Sequence, residues 1–163
     1  MLRFALGAAV AAAVSFATPV FAGNTGPFDT LGHAELLGLD VTNDKVAVGA
    51  AHLMCREATI AATEPDMPWS LSRQVAQVQY EGLAQHLEAT AARADALLIE
   101  GLREAGMADA SAQTVAAMAV RVRRGLESRV FQVNPATAGD MALACKSLAA
   151  TAFDSIPSTI AAR

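Results

Sequence analysis

Aromatic residues are scarce in this chain: they fill 5% of 163 positions, with a single Trp and a single Tyr. Lysine occurs twice and cysteine twice. Charged residues are held to 17%, with a net charge of −4. Each shortage excludes something. Few aromatics beside 38 alanines disfavour a sheet protein and favour helix. A weakly acidic chain with no long run of like charge has no electrostatic footprint for nucleic acid. At 53% hydrophobic, the composition is also far from that of a disordered chain.

The motifs of catalysis and cofactor binding are missing too. There is no G-x-S-x-G nucleophile turn, no H-E-x-x-H and no phosphate-cradling G-x-x-x-x-G-K. The absence of C-x-x-C-H excludes covalently attached haem. The absence of C-x-x-C argues against a redox pair. The histidines, His33, His52 and His86, stand apart, and none completes a Glu-x-x-His pair. His52 and His86 are the only weak metal-ligand candidates, and two ligands do not make a site. With a Met they are also the only plausible ligands for a bound haem, but Met54, Met67, Met118 and Met141 fit core positions better. Glu100 and Glu104, with Arg103 between them, read as a solvated helix face rather than an acid–base pair. The sequence therefore assigns no catalytic residue and no cofactor.

The apolar runs that do exist are short. Phe4 to Val14 is an unbroken apolar and glycine stretch of 11 residues, preceded by Arg3. Val20-Phe21-Ala22 then places small residues at −3 and −1 before Gly23. Residues 1–22 thus read as a cleaved secretory signal peptide. The alternative is an uncleaved anchor, but the run falls short of the ~20 residues a spanning helix needs. Removal would leave 141 residues with 11 basic and 16 acidic side chains. No later segment has 18 consecutive apolar residues, so the mature chain is expected to lack an integral membrane segment. The expected location is periplasmic or secreted. Arginine's excess over lysine, ten to two, hints at a GC-rich bacterial genome.

Residues 23–43 carry Gly23, Gly26, Pro27, Gly32 and Gly38 and read as a loop-rich segment. A helical domain over 44–163 follows. Asn43 or Asp44 caps a first helix to about Ala62, with Val46, Ala50, Leu53 and Ile60 on its buried stripe. Glu64-Pro65-Asp66-Met67-Pro68 stops it. A second helix, capped by Asp66, keeps its stripe from Leu71 through Leu87 and Leu98 to Leu102. At 1.5 Å per residue it is roughly 50 Å long, with Gly82 a point to bend or break. Gly106 caps its end. Ser111 or Asp109 opens a third helix on Val115, Val122, Leu126 and Val130. Asn134-Pro135 reads as cap and first residue of a fourth, with Met141, Cys145, Leu148 and Ala152 inward and Pro157 ending it. Short connections between four such helices predict an all-α antiparallel bundle of about four helices, with one long member that can bend at Gly82.

Two cysteines in an exported chain are expected to pair. Cys55 is on the first helix and Cys145 on the last, which are neighbours in an up-down bundle. Two buried free thiols are the alternative.

Two surface features remain. Arg121, Arg123, Arg124 and Arg129 share the third helix, opposed there by Glu127 alone, while residues 29–66 carry seven acids. Four arginines spread around a helix do not all point one way, which favours complementarity within the chain over a docking face for an anionic partner or lipid. Trp69, at a corner before the second helix, serves as core plug or as binding anchor. If the chain has a partner-binding face, Trp69, Arg121 and Arg124 are its candidates. The reading that remains is a small exported helical protein that works by non-catalytic binding to a protein partner, as adaptor, inhibitor or chaperone-like module. The alternative is a helical-bundle carrier of a small ligand, metal or haem.

Overall fold

The computed structural model describes residues 43–64, 67 and 73–157, the side chains of 73–79 aside. The expected leader, the loop-rich segment 23–43 apart from Asn43, and Trp69 lie outside these residues. Four α-helices run through the described chain: α1 (Asp44–Thr63), α2 (Arg73–Glu104), α3 (Ala112–Gly125) and α4 (Thr137–Leu148). No strand occurs among the described residues, so the all-α expectation holds. Two π-helical turns, Leu126–Phe131 and Ala149–Phe153, extend α3 and α4.

The helix ends follow from their side chains. Asn43 Oδ1 accepts the Lys45 and Val46 amides at 2.8 and 3.3 Å, which satisfies two orphan donors of α1. At the far end of α2, Gly106 takes φ +103°, and the Met107 amide reaches back to the Leu102 carbonyl at 2.9 Å. That is the left-handed closure for which glycine is favoured. Ser111 and Thr114 form a capping box on α3. One start differs from expectation. Asn134 accepts the Ala136 amide at 3.2 Å, but Pro135 stays outside the helix. The Thr137, Ala138 and Gly139 amides bond three residues back, so the chain makes a tight turn before α4 opens at Thr137.

α1 and α2 pack antiparallel and set the frame. Lys45 Nζ binds Glu100 at 2.9 Å and Glu104 at 2.5 Å, and Asn43 also donates to Glu104 at 3.1 Å. These two glutamates lie on a solvated face, as expected, and also clamp the start of α1. Farther along, Arg56 meets Asp95 at 3.2 Å. Gly49 faces Leu98 and Gly101 faces Val46, so each helix offers the other a notch. The core between the four helices holds Leu53, Leu87, Leu98, Leu126, Phe131 and Phe153, all at 2% exposure or less. Ile60, expected inside, is 40% exposed.

α2 is continuous through Gly82, where an added Cβ would meet nothing within 4 Å among the described residues. Gly82→Ala is therefore expected to stabilise the fold by about 0.5–1 kcal/mol, the usual gain over glycine inside a helix. Urea denaturation of the single variant checks this, and a lower midpoint would contradict it.

Cys55 and Cys145 are bonded, with Cα atoms 5.6 Å apart, and both are buried. The bond joins the first helix to the last, as the cysteine count suggested. Tyr80, buried at the other side of the core, donates its hydroxyl to the Ala138 carbonyl and ties α2 to α4. No helix among the described residues is long and apolar enough to cross a membrane.

Candidate functional site

The outer face of α3 is set by its inner one. Val115, Met118, Val122 and Leu126 point into the core at spacings of three and four. Residues between them must then face away. Ala117, Val120, Arg121, Arg124, Gly125, Ser128 and Arg129 line an open groove of about 430 Å³ on that face.

The π-helical turn explains how Arg129 joins the set. In a plain α-helix each residue advances about 100° around the axis, which would put Arg129 well around the flank from Arg124. A π turn bonds five residues back and so takes more residues per turn. The Gln132 amide, for example, reaches the Glu127 carbonyl at 3.2 Å. The extra residue rotates Arg129 backwards, towards the line of Arg121. The Ser128 hydroxyl donates to the Arg124 carbonyl at 2.6 Å and so lies along the groove floor. Val120, 52% exposed, gives the groove an apolar edge.

Arg123 goes elsewhere. It binds Glu64 at the end of α1 at 3.0 Å and Glu127 at 3.1 Å. Complementarity with the acidic front of the chain thus accounts for Arg123. The four arginines thus do not all point one way, as expected, but three of them line one groove. Glu57 is also buried beside Arg56 at 3.8 Å, and desolvation raises its carboxyl above the usual range, against the pull of Arg56 and Arg123.

His52 and His86 are brought near one another on α1 and α2. His52 is fully buried, with Nε2 2.9 Å from the Thr90 hydroxyl oxygen and its ring edge-on to Phe153 at 4.9 Å between centroids. His86 Nε2 stands 3.5 Å from Asp154, without a hydrogen bond. No group of three or more metal-ligating side chains occurs among the described residues. Met54 and Met141 are fully buried core residues.

Thr90 was missed in the sequence reading. It lies four residues after His86 on α2, so the pair was visible as a shared face, but its contact with His52 depends on the register of two helices. Comparison with protein-family models, with curated proteins and with solved structures returned no match.

Proposed function

We propose that the chain is exported through its N-terminal leader, residues 1–22, and acts without catalysis by holding an acidic segment of a partner protein in the arginine groove of α3. The observation that carries this reading is the convergence of Arg121, Arg124 and Arg129 on one groove beside an apolar edge. Guanidinium groups present planar, forked donors that match carboxylates, and they lose less than lysine does on desolvation. The Arg124 guanidinium makes no hydrogen bond or ion pair with any described side chain, although its neighbour Arg123 makes two. A groove with one positive rim and one valine edge suits a peptide that alternates acidic and apolar side chains.

The test uses a fluorescein-labelled peptide of glutamate and leucine, with anisotropy as readout. Arg121→Glu with Arg124→Glu is expected to weaken binding roughly tenfold or more at physiological salt, a screened electrostatic change of about 1.4 kcal/mol. Lys146→Glu on α4, which carries half that change in net charge, is the control outside the groove and is expected to change binding less than twofold or so. Equal loss in both variants would defeat the proposal. Retention on anionic vesicles without peptide binding would replace it with a membrane-surface role.

A further inference from the structure

Where α4 ends against α1 and α2, hydrogen bonding settles which proton His52 carries. The Thr90 hydroxyl donates to the His86 carbonyl at 2.8 Å. Its oxygen therefore accepts from His52 Nε2–H at 2.9 Å. The other nitrogen, Nδ1, is then a bare lone pair, buried and with no donor opposite it. A second proton on Nδ1 would make a buried cation with no acceptor opposite that nitrogen among the described residues.

The charged groups around it do not help. Arg56 lies one turn along α1 and already binds Asp95 and Glu57. α2 presents His86 and Arg93, and Arg93 donates to the Ile156 carbonyl at 3.3 Å. Asp154, in the segment after α4, faces His86 rather than His52. Burial first, then the charges of Arg56 and His86, hold the His52 imidazolium down to about 4 from 6.5, with the Leu87 carbonyl opposing.

Three contacts of the segment Ala149–Ile156 fall on this cluster. Phe153 packs on the His52 ring, Asp154 reaches towards His86, and Ile156 is tied by Arg93. We infer that His52 is a proton-operated latch for this segment: neutral His52 seats Phe153, and a second proton on His52 drives the segment off α1. Four residues before the segment, the Cys55–Cys145 bond holds α4 to α1. Release therefore stops at the staple, and the bundle stays closed.

The sign follows from where the proton binds first. In the open form His52 titrates near 6.5, and in the closed form near 4. The latch is fully held above pH 6.5, weakens as pH falls below that value, and reaches its weakest state below about 4. The gap of 2.5 between those values corresponds to an opening constant raised up to roughly 300-fold.

Hydrogen exchange of the full chain, corrected for intrinsic rates, tests this. Amides of 149–156 are expected to lose protection by roughly 80-fold between pH 6.5 and 4, while those of 115–126 in α3 keep theirs. His52→Gln, which has no second proton to take, is expected to lose the pH dependence. Should that variant not fold, nitrogen NMR of the wild-type imidazole decides instead: His52 is expected as the Nε2–H tautomer at pH 7, charging together with the loss of protection. If His52 charges while residues 149–156 stay protected, or if α3 opens with them, the latch does not exist.

Discussion

Replacing both Cys55 and Cys145 with alanine will lower the stability of the fold by about 4–5 kcal/mol, read as a fall in the urea midpoint with a steeper slope, because the unlinked unfolded chain exposes more surface. The size comes from the loop. The bond closes 90 residues, so its loss frees most of the described chain in the unfolded state. Against the 5–15 kcal/mol typical of a single domain, that loss is a third or more of what holds the fold. The cavity left by two sulfurs adds to it, because Cys55 and Cys145 are 0% and 1% exposed. The same burial predicts that a mild reductant will leave the native protein oxidised and will act only when denaturant opens the bundle. A loss under about 1 kcal/mol would show that helix packing alone suffices.

The second large effect has the opposite sign from the one helix propensity gives. Alanine is the better helix former by up to about 1 kcal/mol per site, so Gly49→Ala with Gly101→Ala should stabilise two isolated helices. In the bundle the pair is expected to destabilise by roughly 3 kcal/mol, since overpacking costs about 1–3 kcal/mol at each site. A Cβ on Gly49 would lie 2.6 Å from Leu98 Cβ and 2.9 Å from Leu98 Cα. One on Gly101 would lie 2.8 Å from both Val46 Cγ2 and the Val46 amide nitrogen. Backbone atoms cannot rotate away as a side chain does, so α1 and α2 must separate. Separation also strains the Arg56–Asp95 and Lys45–Glu104 pairs that span them. Urea denaturation of the double variant beside Gly82→Ala isolates the effect, because the two substitutions share their chemistry and differ in their neighbours. An equal gain in both would mean that the helices can repack at no cost.

Much of the bundle was legible because its signals are local. The Asn43 and Ser111 caps, the glycine closure at Gly106 and the inward stripes of Leu87, Leu98 and Leu102 each depend on a few consecutive residues. The pairing of Cys55 with Cys145 needed only an even count and a neighbour relation between first and last helices. What was not legible depends on how one helix sits against another. The angular period within a helix fixes which residues share a face. It does not fix the slide and rotation that set His52 against Thr90, or Gly49 against Leu98. Ile60 was misplaced for that reason: it keeps the helical spacing but lies past the edge of the buried stripe. The π turn over Leu126–Phe131 has no marker in its own residues, so the convergence of Arg129 with Arg121 and Arg124 could not be seen. Pro135 was read as the first residue of α4, although a tight turn there satisfies the Asn134 side chain equally well.

The staple also fixes an order of events in synthesis. A chain made from its N-terminus presents Cys55 with its whole first helix before any of α4 exists. At about 5–20 residues per second, the 90 residues to Cys145 take roughly 5–20 s to appear. Throughout that interval Cys55 is a thiol with no partner in its own chain. The bond is therefore among the last ties of the bundle to be made, because Cys145 arrives only with the final helix.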